Sequence, residues 1–447
     1  MQDTDTICAL SSAPGVSAVA VIRISGPNAG VLLERMCGSR PAPRVAALRR
    51  IRDGAGGEEI DSGLVLWFPG PRSETGEDLA ELHVHGGRAV IAAVLRSLQA
   101  SGLCRLARPG EFTRRAFENG KLDLTAVEGL ADLIEAETEA QRRQAVRQAG
   151  GALARLYEGW REEVISALAL VEAAIDFSDE ADVAADAVGR AKAIASRLAA
   201  AIEGHLADGH RGEILREGFQ VVIAGPPNVG KSSLLNALAR REAAIVSAEA
   251  GTTRDVIEVR LDLEGLPIVV SDTAGIRATG GHVEREGIRR TIARGRAADL
   301  LLWVMDTLAP EWTVPADLAA GSRPVLHVLN KIDLVPAAAR HGPEGQAAVA
   351  VSALTGAGLA DLSERLAQLA RERAGTGESI ALTQARHREA LACCLENLTS
   401  FLSTEAGDVE LRAEDLRRGA QALGRLTGRV DAEMVLDQIF KRFCIGK

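Results

Sequence analysis

The sequence predicts a multidomain fold of α/β and α parts: an N-terminal α+β domain, a discontinuous all-helical domain, and a doubly wound α/β domain inserted into the helical one. Three observations carry this. Up to about residue 120, short apolar runs of strand length sit beside helical stretches. From about 121 to 216 the chain is alanine- and leucine-rich, charged and nearly free of proline, and helical texture returns from about 383 to 443. Between these stretches strand and helix alternate, with a glycine-rich turn after the first strand. The expected boundaries are 1–120, 121–217, 218–374 and 375–447, the second and fourth segments forming one domain.

In the first segment, residues 19–24, 64–68 and 78–85 read as strands, and Gly86 and Gly87 precede a helix running to about Gln99. The stretch 41–57 reads as the most mobile loop. His83 and His85 share one strand face, but with no further ligand nearby they read as structural. In the third segment, Phe219–Ala224, 267–271 and 325–329 read as strands, another ends at Val351, and 232–240 reads as helix. A ligand of such a sheet belongs at its carboxyl edge. Residues 431–442 read as the last helix, and Gly446 frees the backbone before Lys447.

Composition limits the function classes. At 447 residues two to four domains are expected, and a net charge of −9 argues against a surface that coats nucleic acid. A local basic patch remains, with Arg285, Arg289, Arg290, Arg294 and Arg296 as candidates. No apolar run approaches ~18 residues, so no membrane span is expected. The start, Met-Gln-Asp-Thr-Asp, lacks the basic and apolar regions of a signal peptide. Cysteines at 8, 37, 104, 393, 394 and 444 form no Cys-x-x-Cys pair, which suits a reducing cytoplasm. Cys393 and Cys394 read as helix-core residues.

The segment Gly225-Pro-Pro-Asn-Val-Gly-Lys-Ser-Ser233 fits a phosphate-binding loop in every required position. Its backbone N–H groups, from Asn228, Val229 and Gly230 through Ser233, can face a triphosphate. Lys231 reaches the β/γ-phosphates and the Ser232 hydroxyl can ligate Mg²⁺. The base is chosen by Asn330-Lys331-Ile332-Asp333, where the carboxylate of Asp333 offers two acceptors to the adjacent N1–H and N2–H₂ of guanine. Val351-Ser352-Ala353 is similar to the last guanine-contacting loop of GTPases. Asp272, in Asp272-Thr273-Ala274-Gly275, is placed to hold Mg²⁺ in its outer shell, and Gly275 to meet the γ-phosphate. The inserted domain is therefore expected to be Ras-like.

An absence refines this. The glutamine that orients the attacking water in Ras-like proteins is replaced by Ile276, which can neither donate nor accept a hydrogen bond. Asn228, inside the phosphate loop, could ligate a monovalent cation. The loop Ser247, Ala248, Glu249, Ala250, Gly251, Thr252, Thr253 would supply carbonyls to the same ion, and Thr253 would reach Mg²⁺. K⁺ there would do the work of an arginine.

Asp5-Thr6-Ile7, Gly251-Thr-Thr-Arg-Asp255, Asp272-Thr-Ala-Gly275 and the terminal Phe443-Cys-Ile-Gly-Lys447 closely resemble the MnmE (TrmE) family of tRNA uridine-modifying GTPases, and the resemblance covers nearly the whole chain. It implies that Asn228, Ser247, Glu249 and Thr252 surround K⁺ and that Ser232 and Thr253 bind Mg²⁺. Glu284 matches the glutamate that orients the catalytic water through a second water. Cys444, near Lys441, Arg442 and Lys447, would join the modification chemistry. Arg23, Glu81, Lys121 and Lys447 match positions that contact a reduced folate, 5-formyl- or 5,10-methylene-tetrahydrofolate, carrying one carbon. The implied activity is a K⁺-stimulated GTPase that helps add an aminomethyl-type group at C5 of the wobble uridine of tRNA. A homodimer through the N-terminal domain is implied too, as is a flavin-dependent partner subunit, MnmG, in a heterotetramer. One departure is Val16-Ser17-Ala18, where the family carries a glycine- and arginine-rich turn.

The competing expectation is a ribosome-assembly GTPase switch without covalent chemistry. It would carry an RNA-binding module after the nucleotide domain, and the carboxyl third has no Gly-x-x-Gly loop with strand texture. A membrane-remodelling GTPase would need an apolar or polybasic anchor, which this sequence does not offer.

Overall fold

The computed structural model describes residues 5–54, 57–176, 181–242, 258–272, 298–319, 323–336, 347–375, 382, 384–403, 409–430, 439–440, 443 and 446. These fall into two compact units. One comprises 1–131, 148–169 and 416–447; the other comprises 132–147 and 170–415.

The first unit is built on a six-stranded sheet of order β3-β4-β5-β2-β1-β6. Its strands are β1 (Ile7–Leu10), β2 (Ser17–Ser25), β3 (Ala47–Arg52), β4 (Glu59–Phe68), β5 (Leu79–Gly86) and β6 (Arg105–Leu106). All neighbours run antiparallel except β1 and β6. Alternation decides the faces: Ile22, Ile24, Val65, Leu82 and Val84 are buried with Leu32, Leu33, Val94 and Leu98 of helices α1 (Ala29–Cys37) and α2 (Arg88–Ala100). The intervening residues, Arg23 and Glu81 among them, face the other way. Strand β3 corrects the expectation of a mobile loop over 41–57. Its sequence, Ala-Leu-Arg-Arg-Ile-Arg, buries only Ile51, so an arginine-rich edge strand lacks the apolar signature that marks inner ones. Helices α3 (Glu111–Glu118) and α4 (Leu124–Glu135) follow, and Ile439, Phe440 and Phe443 close a small core with Leu124, Val127 and Ala131.

A buried ion network ties this unit's start to α3. Arg115 is 4% exposed, and its guanidinium donates to the Asp5 carbonyl at 2.7 Å, to Asp5 Oδ1 at 2.7 Å and to Glu77 Oε2 at 3.1 Å. Glu111 accepts from Arg105, from Arg115 and from the Arg108 N–H. Burial pushes the Glu111 carboxyl up, but these donors and the two arginine charges outweigh it and hold its pKa below the ordinary value.

The second unit contains a six-stranded sheet of order β12-β11-β10-β7-β9-β8. Strands β7 (Phe219–Ala224), β9 (Leu266–Asp272), β10 (Leu300–Asp306), β11 (Val325–Asn330) and β12 (Ala348–Ala350) are parallel, and only β8 (Glu258–Leu263) is antiparallel. Both faces are apolar, as a parallel sheet requires. Val221, Ile223, Leu302 and Val304 pack with Leu234 and Leu238 of one helix (Lys231–Arg241) and Leu362 and Leu366 of another (Leu359–Ala374). Val222, Leu301, Trp303 and Met305 form the opposite layer. The long helices Ala152–Asp176, Ala181–Glu217, Ala385–Ser403 and Val409–Thr427 supply the helical texture. Within the second unit Arg388 pairs with Glu213 at 2.9 Å. Cys394 is buried in its helix, but Cys393 is exposed, which corrects the core expectation for that residue. Adjacent helical positions point about 100° apart, so one apolar stripe cannot take both.

Among the described residues, no helix is long and apolar enough to cross a membrane.

Candidate functional site

The parallel strands of the second unit end on one edge, and the described residues of the phosphate loop gather there with Asp272, Asn330, Asp333 and Ser352. β7 delivers the loop 225–230, and the helix beginning at Lys231 leaves it with its amide end toward the loop. Asn228 (φ 64°) and Gly230 (φ 94°) are both left-handed, the alternation that turns successive N–H groups inward. At Gly230 a Cβ would lie 2.5 Å from Asn330 Nδ2, so glycine is needed for space as well as for conformation. Val229 is buried beneath the loop, and Asn228, Ser232 and Ser233 are exposed.

Lys231 arches back over the loop, donating to the carbonyls of Gly225 (2.9 Å) and Pro226 (2.8 Å). Ser232 Oγ donates to Asp272 Oδ2 at 2.6 Å. A hydroxyl and a buried carboxylate facing each other at the mouth of a phosphate loop are hard oxygen donors of the kind Mg²⁺ takes, directly and through water. The residues fit that ion.

On the base side, Asn330 is buried and its amide is used structurally. Its Nδ2 donates to the Val229 carbonyl (2.8 Å), and its Oδ1 accepts from the Ala353 N–H (3.0 Å). It thereby pins the phosphate loop to the segment after β12. Lys331 (φ 68°) sends its ammonium to Asp306 Oδ2 at 2.7 Å, and this hydrogen bond holds the Asp306 carboxyl below its ordinary pKa. Asp333 is exposed on a one-turn helix (Ile332–Leu334), and Ser352 Oγ, fully buried, donates to its Oδ1 at 2.5 Å. The carboxylate is thus aimed by a fixed hydroxyl while its other oxygen stays available. Sequence reasoning missed Asp306, although the end of a third parallel strand on the ligand edge was a usable signal.

In the first unit, Arg23 and Glu81 are direct cross-strand partners on β2 and β5. Arg23 Nε donates to Glu81 Oε1 at 2.9 Å, Arg23 also pairs with Glu74 at 2.8 Å, and Glu81 Oε2 lies 3.1 Å from His83 Nε2. His85 pairs instead with Asp61 at 2.8 Å. Lys121 donates to the Pro71 carbonyl at 2.9 Å, on the same 69–78 connection that carries Glu74. Arg23, Glu81 and His83 are half-buried while Glu74 and Lys121 are exposed, so charges of both signs, able to meet carboxylate and amino groups, are gathered on this side of the unit. The chain's end reaches this unit too. Ser11 Oγ donates to the Gly446 carbonyl at 2.8 Å, and a Cβ at Gly446 (φ 101°) would collide with the Leu10 carbonyl.

Other expected site residues lie outside the described residues: Ser247, Ala248, Glu249, Ala250, Gly251, Thr252, Thr253, Thr273, Ala274, Gly275, Ile276, Glu284, the arginines 285–296, Lys441, Arg442, Cys444 and Lys447.

A phosphate loop at the head of a doubly wound sheet, an Mg²⁺-side carboxylate and an aimed base-side carboxylate define a GTP hydrolase with a Ras-like domain. Residues 6–121 match the family model of the GTP-binding protein TrmE N-terminus, and residues 124–444 match the MnmE helical domain. The tRNA modification GTPase MnmE of Parvibaculum lavamentivorans is 54% identical over 448 residues, covering 99% of this chain and all of that protein. Those of Rhodopseudomonas palustris (strain CGA009) and Methylobacterium radiotolerans are each 52% identical; the alignments cover 99% of both chains and 100% of both chains, respectively. The chain belongs to the MnmE family.

Proposed function

We propose that this chain is a K⁺-stimulated GTPase that modifies C5 of the wobble uridine, position 34, of certain tRNAs. The observation that carries the GTPase half is the aimed Asp333 carboxylate on the same sheet edge as the phosphate loop. Guanine offers two adjacent donors to such a carboxylate, and adenine does not. Lys231 exchanges its two loop carbonyls for β/γ-phosphate oxygens when nucleotide binds, while Ser232 and Thr253 hold Mg²⁺ and Asp272 orients its water. Thr273, Ala274 and Gly275 lie against the γ-phosphate, and Ser352 and Ala353 complete the base contacts. Asn228, Ser247, Glu249 and Thr252 would hold K⁺, which supplies the positive charge that an arginine gives elsewhere. Glu284 orients the attacking water through a second water; the attacking water's oxygen bonds to the γ-phosphorus as the bond to the β–γ bridging oxygen breaks.

The modification half rests on the first unit. Arg23, Lys121 and Lys447 bind the carboxylates or carbonyls of a 5-formyl- or 5,10-methylene-tetrahydrofolate, and Glu81 accepts from its pterin amino groups. That cofactor supplies the one-carbon unit when bound. Cys444 takes part as acid or nucleophile, delivered by a tail that Ser11 and Leu10 already seat at Gly446. Redox steps come from a flavin-dependent partner subunit, MnmG. The working assembly is a cytoplasmic homodimer through the N-terminal domain, joined by MnmG. The domains are 1–120, 121–217 with 375–447, and 218–374.

The reading is tested by GTP turnover of the full chain in K⁺ and in Na⁺, together with formyl-folate titration. Hydrolysis is expected to fall at least tenfold in Na⁺, and Arg23→Ala is expected to abolish folate binding. Equal rates in the two salts, with no folate binding, would leave the assembly-switch reading standing.

A further inference from the structure

Two thiols in the first unit meet without any role in the chemistry above. Cys8 lies on β1, fully buried, and Cys104 lies half-buried in the turn between α2 and β6. Their sulfurs are 3.6 Å apart across 96 residues of sequence. A disulfide needs about 2.05 Å, so a shift of roughly 1.5 Å joins them. The shift is available on one side: Cys104 follows the loop Ser101–Leu103 and precedes a strand of two residues, whereas Cys8 is fixed in a core strand paired on both edges.

We propose that Cys104 and Cys8 form a peroxide-oxidisable pair, Cys104 being the sulfur attacked first and Cys8 the one that resolves it. Access sets the order, because only Cys104 touches solvent. Its thiol pKa is lowered, first by the hydrogen bond with Cys8 and then by one with Ser101 working against burial. Cys8 shifts upward through the same contact and its burial. By contrast, burial pushes Cys37 up to about 11.

The Cys104 thiolate attacks one oxygen of hydrogen peroxide, the O–O bond breaks, and hydroxide leaves to become water, giving a sulfenic acid. Cys8 then attacks that sulfur, its S–H proton and the sulfenic hydroxyl depart as a second water, and the S–S bond forms. Two thiols lose two electrons and two protons. The bond would staple β1, whose continuation at Leu10 and Ser11 seats Gly446, to the strand beside it.

Peptide mass spectrometry of the full-length protein, after titration with hydrogen peroxide and without reductant, tests this. A Cys8–Cys104 cross-linked peptide, two hydrogens lighter and reverted by dithiothreitol, is the expected product. In Cys8→Ala, Cys104 should stop at a sulfenic acid that dimedone traps, and in Cys104→Ala, Cys8 should stay reduced. Melting curves of both variants report whether they fold. Oxidation of exposed Cys393 while Cys8 and Cys104 remain free, or linkage of Cys104 to Cys37, would overturn the proposal.

Discussion

In the proposed reading Asp333 selects the base, and Ser352 limits its freedom to rotate. A buried hydroxyl donating at 2.5 Å fixes one oxygen, so the proposed contact of the other with guanine would carry little ordering cost. Ser352→Ala is therefore expected to weaken GDP binding by about tenfold, the worth of roughly one such hydrogen bond, and Asp333→Ala by about a hundredfold. Titration calorimetry measures both, and equal affinities for wild type and Ser352→Ala would refute the coupling. Glu111 makes a different prediction. Its carboxyl is depressed by Arg105 and Arg115, so its contribution is fully present above the unfolded carboxylate value of about 4.3 and is lost as pH falls through the lower folded value. Glu111→Gln should cost about 3 kcal/mol at pH 7, because it leaves the buried Arg115 guanidinium short of a carboxylate partner. The gap from wild type should narrow below pH 4. Denaturant melts across that range decide it.

At the scale of elements, what was legible in the sequence follows burial geometry. β7, β9 and β11 are parallel and covered on both faces, so each reads as a mostly apolar run of strand length, with only Gln220, Ser271 and His327 interrupting them before the ligand edge. β3 and the Arg115 network were not legible. An edge strand carries charges, and a buried ion cluster joins Asp5, Glu77, Glu111 and Arg115, whose partnership only the tertiary fold creates. The same holds for the corner between α4 and the helix Glu139–Ala149. There Gln141 Oε1 accepts from the N–H groups of Glu137 and Thr138, its Nε2 donates to the Arg216 carbonyl, and Ala140 N donates to Gly265 at the tip of the β8–β9 hairpin. Gln141→Ala leaves those three groups without their partner and should destabilise the chain by about 2 kcal/mol. An unchanged denaturation midpoint would show that water replaces the side chain. Gly230→Ala should abolish nucleotide binding while the fold persists, since a left-handed φ and the Asn330 amide both oppose a Cβ.

At the scale of the whole molecule, the family assignment joins a nucleotide site in one unit to a charged sheet face and a seated chain end in the other. Two separable activities follow. Gly446→Ala should unseat the tail against Leu10 and Ser11, leaving GTP turnover within about twofold of wild type and removing tRNA modification. Lys231→Ala should remove both. The most direct test of the central claim is mass spectrometry of tRNA nucleosides from cells lacking this chain, with and without its return on a plasmid. The account predicts that the C5-aminomethyl-type wobble uridine disappears, returns with the wild-type chain and does not return with Lys231→Ala. Persistence of that nucleoside in cells lacking the chain, with no substitute enzyme present, would contradict it.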